Sequence, residues 1–457
     1  MGNLHGVGRR ADSVVNRAEV RGVQAREPRP LRRAACWLAF LAPFFYVTYG
    51  AANAIAAHRH NVPSIVFGWE HHVPFLAWTI IPYWSINAFY GLSVFACSTR
   101  AELDGHVRRL LTAQIVAVTC FILFPLRVTF SQPESHGIAG VLFAALGSFD
   151  KPFNQAPSLH IALLVILWPF YAKHVPRVAR WPLHCWFALV GASVLTTYQH
   201  HFFDVPTGAC LGLLCLWLWP EQGTSPLTTL VIATDRKRVT IAAWYLVGAI
   251  LMGALGVWIR GSGLWLLWPA VSLALVAANY ALFGAEGFQK RADGRMSLAA
   301  RLLLAPYLAG AFVNSRLWNR HQPEPVAVGG GVWLGRIPRA REAARFAAVV
   351  DLCAELPGAA TTGTWTCIPM LDLITPSPAQ LREAVASIER GRSAGPVLVC
   401  CAVGYARSAA AVATWLAASN PAMSARDAIE SIRHARPGIV VTASSYAAIV
   451  TASKQAA

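Results

Sequence analysis

Residues 397–410 read VLVCCAVGYARSAA, and this stretch decides the fold of the C-terminal part of the chain. The apolar run 397–399 is typical of a short buried strand, and the alanine-rich sequence from Ser408 onward has helical periodicity. A loop that joins a strand to the start of a helix points several backbone N–H groups at one spot and can bind an anion. The stretch therefore predicts a strand–loop–helix unit with an anion site beside a thiol.

The residue types in this loop indicate chemistry on a phosphate ester. The N–H groups that bind an anion also favour the thiolate of Cys401. Arg407 can hold two phosphate oxygens, and Gly404 allows a tight turn around the anion. Asp372, in the upstream segment CIPMLDLITP, can supply a general acid for the leaving oxygen. Together these residues predict a thiolate nucleophile that attacks a phosphoester.

The sequence around this loop predicts a small α/β domain over residues 321–457. VAVGGGVWLG, AAVVDL and GPVLVC have the composition of short buried strands, whereas PAQLREAVASIER, ARSAAAVATWLAAS and ARDAIESIRHA have helical periodicity. Alternating strands and helices are typical of a domain with a central sheet.

The rest of the chain has the composition of a membrane protein. Of 457 residues, 55% are hydrophobic and 13% are charged, with a formal net charge of +17, whereas soluble domains carry about 25% charged residues. The arginines lie mostly in short loops between apolar runs, so they indicate membrane topology rather than binding to nucleic acid.

Apolar segments long enough to cross a bilayer predict about eight transmembrane helices. They lie near 34–52, 74–97, 110–130, 158–174, 182–198, 203–220, 240–259 and 263–283. A ninth segment, 299–318, predicts an interfacial or re-entrant helix. Lysine and arginine are concentrated in alternate loops, which predicts that the basic tail 1–33 and everything after 284 are cytoplasmic. We therefore expect a multi-pass protein of the cell inner membrane with both termini in the cytoplasm.

A second group of polar residues lies at the predicted outer ends of these segments. His200 and Asp204 are one helical turn apart, so the carboxylate can hold one imidazole nitrogen while the other attacks phosphorus. His160, near a helix start, can protonate the leaving alcohol, and Arg127 and Ser158 can hold the phosphate. Ionisable groups at such depths are costly, which favours a functional site.

Residues 325–457 resemble the dual-specificity branch of the protein tyrosine phosphatase superfamily. The matching pieces are VWLGRIPR, VVDL, IPMLD, CAVGYARS and AIESIRHARPG. The resemblance implies that Cys401 forms a phosphocysteine, Arg407 binds phosphate, Asp372 acts as acid and then base, and Ser408 assists departure of the thiolate. The family usually has histidine before its cysteine, and here that residue is Cys400.

Residues 34–220 resemble the type 2 phosphatidic acid phosphatase superfamily, through PSLH and the later HxxxD. The resemblance is closest to the branch that includes inositol phosphorylceramide and sphingomyelin synthases. It implies that His200 is a nucleophile oriented by Asp204 and that His160 is an acid. The order of segments, with two further helices and a juxtamembrane segment over 221–320, resembles bacterial inner-membrane fusion phosphatases.

The sequence thus predicts a bifunctional membrane phosphatase, with a histidine site for lipid phosphates on the outer face and a cysteine site in the cytoplasm. The cysteine site is expected to act on phosphate monoesters of protein or lipid. We expect a phosphorylated lipid, a phosphoprotein and the membrane as partners, no nucleic acid, and no metal or cofactor. Two alternatives stay open: a lipid headgroup phosphotransferase, and a phosphate-lipid sensor with an inactive cysteine domain.

Overall fold

The computed structural model describes residues 28–456, so most of the predicted basic tail 1–33 lies outside the described residues. Residues 31–278 form a bundle of helices. Its helices are α1 Leu31–Ala57, α2 Ile80–Ala96, α3 Arg100–Leu123, α4 Gly137–Gly147, α5 Leu159–His174, α6 Arg180–Thr196, α7 Asp204–Leu218, α8 Arg236–Ile259 and α9 Leu267–Ala278.

Five helical segments in the described residues are long and apolar enough to cross a membrane. They are Leu31–Ala57, Arg100–Leu123, Arg177–Thr196, Arg236–Ile259 and Gly261–Phe288. The three other segments predicted to cross correspond to α2, α5 and α7, which have 17, 16 and 15 residues. At about 1.5 Å per residue these helices are shorter than a hydrocarbon core of about 30 Å. Eight crossings therefore remain a prediction, of which five have helices of sufficient length.

Neighbouring long helices of the bundle run in alternating directions, which gives the bundle two chemically different ends. At one end, an ion pair of 2.9 Å joins Arg33 at the start of α1 to Asp104 at the start of α3. Basic residues are frequent here, and we call this the basic end. At the other end, the far end, the hydroxyls of Thr79 before α2 and Thr196 at the end of α6 are 2.8 Å apart.

Three elements of the bundle differ from the prediction. Helix α4 was not predicted, and α3 begins at Arg100, ten residues before the predicted apolar segment. The Thr99 hydroxyl accepts a hydrogen bond from the Glu102 N–H at 3.2 Å. This cap stabilises nearly three polar turns, which a search for apolar segments does not detect. The predicted interfacial segment forms two helices, α10 Leu298–Leu303 and α11 Ala305–Trp318. The helix is interrupted at Leu304 because Pro306 lacks the backbone N–H that a continuous helix needs.

The C-terminal domain is an α/β structure, as the sequence predicts. Its strands are β1 Val326–Gly329, β2 Val332–Arg336, β3 Ala348–Cys353, β4 Thr364–Met370 and β5 Val397–Cys401. Its helices are α12 Ala340–Ala343, α13 Pro378–Arg392, α14 Arg407–Ser419, α15 Ala425–Ala435 and α16 Ala443–Ala456. The sheet order is β1-β2-β5-β3-β4, and all neighbouring pairs are parallel except β1 and β2. Strand β4 and helix α16 were not predicted.

The central strand β5 sends alternate side chains to opposite faces of the sheet. Val399 and Cys401 belong to the core formed with helices α13 to α16. Leu398 and Cys400 pack on the other face, beside Phe346. The two adjacent cysteines therefore lie on opposite sides of the sheet.

A short segment after α9 fixes the C-terminal domain to the helix bundle. Lys290 is buried, and its ammonium donates to Asp351 Oδ2 at 2.5 Å and to the Cys353 carbonyl at 2.6 Å, at the end of β3. The indole N–H of Trp217, at the end of α7, donates to the Gly287 carbonyl at 2.9 Å. Since α7 ends at the basic end of the bundle, the cysteine domain lies at that end.

Candidate active sites

The end of β5 delivers Cys401 to the start of the predicted anion loop. The Gly404 N–H donates to the Cys401 sulfur at 3.2 Å, and the Ser408 hydroxyl lies 3.3 Å from the same sulfur. Helix α14 begins at Arg407, so the positive end of its dipole also faces this region. These donors stabilise negative charge on the sulfur.

Gly404 is required by both the conformation and the space at this point of the loop. Its φ is +76°, a region that side chains other than glycine rarely adopt. A Cβ at this position would lie 2.4 Å from the carbonyl carbon of Gly335 and 2.7 Å from the nitrogen of Arg336. Any side chain here would push the loop away from β2 and move Cys401.

Arg407 is buried and held rigidly by Glu355. Its two terminal nitrogens pair with the two carboxylate oxygens at 2.8 and 2.6 Å, and one of them also donates to the Met370 carbonyl. Burial alone would raise the pKa of Glu355, but the Arg407 guanidinium outweighs burial and holds that pKa below its usual value. Arg407 Nε has no partner among residues 28–456, so a donor remains for an anion.

Asp372 follows β4 and reaches the same guanidinium from the solvent side. Its Oδ1 lies 2.9 Å from Arg407 Nη2, and its side chain is 37% exposed. Burial raises the pKa of Asp372 above its usual value, and the positive charge of Arg407 offsets only part of this rise. The Tyr280 hydroxyl, from the segment after α9, donates to the Asp372 carbonyl at 3.1 Å and holds this loop. Cys401, Arg407, Asp372 and Ser408 are thus brought together by the fold.

Glu355 was not among the residues predicted for this site. It lies two residues after β3, at the same edge of the sheet as the ends of β4 and β5. Its position after a buried strand was a signal, but only the parallel order of the sheet shows that it meets Arg407.

Cys400, the residue before Cys401, does not face the anion loop. It is completely buried against Phe346 and Leu398 on the opposite face of the sheet. Burial raises the pKa of the Cys400 thiol well above its usual value. The Cys400 thiol is therefore an apolar packing group, separated by the sheet from the thiol of Cys401.

The predicted histidine site lies at the far end of the bundle. His200 lies between α6 and α7, and its Nδ1 is 3.1 Å from Asp204 Oδ2. Its Nε2 is 3.2 Å from the hydroxyl of Ser158, which also caps α5. An imidazole that donates from Nδ1 to the carboxylate leaves the Nε2 lone pair available to a phosphorus atom.

His160 shares a cavity with His200. Its ring stacks on Tyr83, with the ring centroids 4.2 Å apart, and its Nε2 has no partner within residues 28–456. Both histidines line a pocket of about 60 Å³. A neighbouring chamber of about 380 Å³ is also lined by His200, together with Asp150 and Lys151. The far end thus has a polar chamber beside the two imidazoles.

Arg127, predicted to hold phosphate, is not brought to these cavities. Its side chain is exposed, and its backbone N–H donates to the Pro63 carbonyl at 2.9 Å. Helix α3 ends at Leu123, within the predicted segment 110–130, so Arg127 lies in the chain that follows the helix. The basic residue that lines the chamber among the described residues is Lys151, and a role of Arg127 in holding phosphate stays a prediction.

The similar solved structures named here cover the C-terminal part of this chain, the cysteine domain. No protein-family model and no curated protein matches this chain. A solved structure described as Tk-PTP in the active form is 27% identical, with a TM-score of 0.25, and the match covers 29% of this chain and 99% of that one. Human DUSP28 is 23% identical, with a TM-score of 0.26 and coverage of 28% and 96%. PTPMT1 in complex with PI(5)P is 18% identical, with a TM-score of 0.25 and coverage of 29% and 96%.

Proposed function

We propose that the C-terminal domain is a cysteine-dependent phosphoric monoester hydrolase of the dual-specificity type. The observation that carries this proposal is the convergence of three groups at one loop. The sulfur of Cys401 accepts a hydrogen bond from that loop, Arg407 presents a buried Nε without a partner, and the carboxyl of Asp372 lies against the same guanidinium. These are the nucleophile, the phosphate clamp and the acid that the reaction needs.

The reaction proceeds in two balanced steps. The Cys401 thiolate attacks phosphorus, the S–P bond forms and the P–O bond to the alcohol breaks, while the Asp372 carboxyl gives its proton to the leaving oxygen. Water then attacks the phosphocysteine and gives a proton to the Asp372 carboxylate, and the S–P bond breaks. Ser408, 3.3 Å from the sulfur, stabilises the departing thiolate. Arg407 holds the phosphoryl oxygens throughout.

Replacement of the nucleophile tests this proposal. Cys401→Ser should lower hydrolysis of an aryl phosphate by at least about three orders of magnitude. Cys400→Ser is the matched control, because it makes the same change one residue earlier on the other face of the sheet. Equal rates for the wild-type chain and Cys401→Ser would remove the hydrolase and favour the alternative of a sensor with an inactive cysteine domain.

We propose a second activity at the far end, in which His200 cleaves the phosphate ester of a membrane lipid. The specific observation is that His200 is held between Asp204 and Ser158, beside the unpartnered Nε2 of His160. His200 forms a phosphohistidine while His160 protonates the leaving alcohol, and water or a second lipid alcohol then takes the phosphoryl group. Lys151, at the chamber, supports the phosphate there.

The second activity is tested with a His200→Ala variant on phosphatidate in vesicles, measured in a Cys401→Ser background. Turnover should fall to the uncatalysed level. His72→Ala is the control, because His72 is an exposed histidine on the same side of the bundle. If His200→Ala leaves the rate unchanged, the site assignment is wrong. If phosphate leaves phosphatidate only when an acceptor lipid is present, the activity is that of a phosphotransferase.

We infer that the bundle crosses the inner membrane eight times and places the two sites on opposite faces, with both termini cytoplasmic. The inference is supported by alternating helix directions and by the concentration of basic residues at the end that carries the cysteine domain. The domain limits are then 34–220 for the histidine domain, 221–320 for the two further helices and juxtamembrane segment, and 321–457 for the cysteine domain.

A further inference from the structure

A single cavity connects the cysteine site with the membrane helices. It has a volume of about 490 Å³. Its lining from the cysteine domain consists of Glu355, Asp372, Ala402 and Val403. The remaining lining comes from three helices: Tyr245, Gly248, Leu251 and Met252 of α8, Pro269 and Leu273 of α9, and Pro306, Tyr307, Gly310, Ala311 and Asn314 of α11. The phosphate-binding loop and the apolar helices are therefore walls of the same space.

The cavity extends from the catalytic acid along α8. Arg238, in the first turn of α8, donates to the Tyr280 carbonyl at 3.1 Å, and the Tyr280 hydroxyl donates to Asp372. Asp372 thus lies at the level of the first turn of α8. The lining residues Tyr245 and Leu251 are 7 and 13 positions beyond Arg238, about 10 to 20 Å farther along the helix. The apolar part of the cavity therefore lies beside helix α8, which is long enough to cross a membrane.

The cavity is open on its membrane side. Leu251 lines it and is nevertheless 61% exposed. Helix α11 forms another wall, and the Ser315 hydroxyl on this helix donates to the Ala402 carbonyl of the catalytic loop. Val313 and Leu317 on the same helix are exposed. Helix α11 thus contacts the catalytic loop with one side and presents apolar side chains with the other.

The charges match an amphiphilic substrate. The only carboxylates that line the cavity, Glu355 and Asp372, are both paired with Arg407 at its phosphate end. The lining on α8 and α9 carries no ionisable group other than the phenol of Tyr245. The end lined by Glu355 and Asp372 therefore borders the Arg407 guanidinium, which holds the phosphate in the proposed reaction, and the rest of the cavity suits a hydrocarbon chain.

We propose that the cysteine site acts on the phosphate monoester of a membrane lipid whose acyl chain lies in this cavity between α8, α9 and α11. The lipid reaches Cys401 laterally from the bilayer, and the dephosphorylated lipid alcohol leaves by the same route while inorganic phosphate leaves to water. This substrate assignment rests on the proposed cysteine phosphatase function. A phosphopeptide would bring a polar backbone to apolar walls that cannot satisfy its hydrogen bonds.

The cavity predicts a dependence on chain length. In the full detergent-solubilised chain, kcat/KM for ethyl, butyl, hexyl and octyl phosphate should rise by about three- to fourfold for each methylene that enters the cavity. The rate of the Cys401→Ser variant is subtracted, so that only the cysteine site is measured. An aryl phosphate serves as the substrate without a chain.

Gly310 allows the cavity to be filled without a clash. It lines the cavity, and a Cβ at this position would meet no atom within 4 Å. Gly310→Phe should abolish the rise of kcat/KM with chain length, with the aryl phosphate rate of the same variant measured as the reference. Ala309→Phe is the matched control, because Ala309 is exposed on the same helix and does not line the cavity. It should leave both measurements unchanged.

The outcomes separate this proposal from the function on which it rests. If the wild-type chain shows no Cys401-dependent hydrolysis of aryl phosphate, both the proposed phosphatase function and the lipid assignment are overturned. Cys401-dependent aryl phosphate hydrolysis without any rise with chain length would overturn only the lipid assignment. The same conclusion would follow if a tyrosine phosphopeptide had a higher kcat/KM than octyl phosphate, or if Gly310→Phe lowered both substrates equally.

Discussion

The Arg407 guanidinium contacts two carboxylates, Glu355 and Asp372, which lie in different environments. This difference indicates different roles for the two residues. Glu355 is buried and paired through both oxygens with Arg407, so its pKa is lowered and it stays ionised. Asp372 makes one contact with Arg407, and burial raises its pKa. Two titrating groups whose pKa values are pushed apart are typical of an acid and a fixed counterion. In the proposed reaction, Asp372 is therefore the proton donor, and Glu355 positions Arg407.

The first prediction concerns the proton of Asp372. Its raised pKa keeps the carboxyl protonated to higher pH, so kcat should fall as pH rises through that pKa. Asp372→Asn should lower kcat for an alkyl phosphate by about 10²- to 10⁴-fold and remove the fall at high pH. An aryl phosphate with a good leaving group should lose much less. A pH–rate profile of the variant that keeps the fall at high pH would assign the acid to another residue.

The second prediction concerns Glu355, which is a positioning residue. Glu355→Gln should destabilise the cysteine domain by about 3 to 5 kcal/mol, because it leaves Arg407 buried without its counterion. The pKa of Glu355 is lower in the folded state, so its stabilisation is present above the unfolded pKa and is lost as pH falls through the folded pKa. Thermal unfolding of the wild-type chain should show this loss at acid pH, and the variant should not. If the thermal stabilities of the wild-type chain and of Glu355→Gln depend on pH in the same way, this prediction is wrong.

At the scale of elements, the sequence predicts those whose pattern is local. The strand–loop–helix unit around Cys401 was predicted because an apolar run, a glycine and a periodic alanine stretch follow one another. Strand β4 was not predicted; Pro369 interrupts its apolar pattern, and its pairing with the neighbouring strand β3 is not visible in the local sequence. Helix α4 was missed because its eleven apolar residues are too few for a crossing.

Site residues, like secondary-structure elements, were predicted where their sequence pattern is local. His200 and Asp204 were predicted together because they are four residues apart, and the contact exists. Glu355 is 52 positions from Arg407 and was not predicted, because only the order of strands brings them together. Lys151 likewise reaches the chamber through a loop whose course no local pattern specifies.

The third prediction concerns the connection between bundle and sheet. Lys290→Met should destabilise the full chain by about 3 to 5 kcal/mol, because it leaves the fully buried Asp351 without its partner. The double variant Lys290→Met with Asp351→Asn should recover a large part of the loss, since no uncompensated charge remains. Unfolding of the four proteins in one detergent measures this coupling. Additive effects of the two single changes would mean that the pair does not hold the domains together.

At the scale of the whole molecule, the bundle separates two phosphate sites instead of joining them. The cysteine site is attached where α7 ends, and the histidine site lies where α7 begins. In the proposed function, the lateral cavity would admit a lipid substrate to the cysteine site from the leaflet at the basic end. The histidine site would draw from the other leaflet, so a product of one site reaches the other only after crossing the bilayer.

The fourth prediction follows from this separation. In a chain whose exposed Cys36 and Cys185 are replaced by serine, a membrane-impermeant maleimide should label His72→Cys from one side of sealed vesicles only. It should label Arg426→Cys, on the exposed start of α15, from the opposite side only. The physical reason is that His72 lies at the far end of the bundle and Arg426 lies in the cysteine domain at the basic end. The helices between these two ends include five that are long enough to cross the bilayer. Detergent-opened vesicles, in which both positions should react, control for reactivity. Labelling of both from the same side of sealed vesicles would place both sites in one compartment, and a lipid could then pass between them without crossing the membrane.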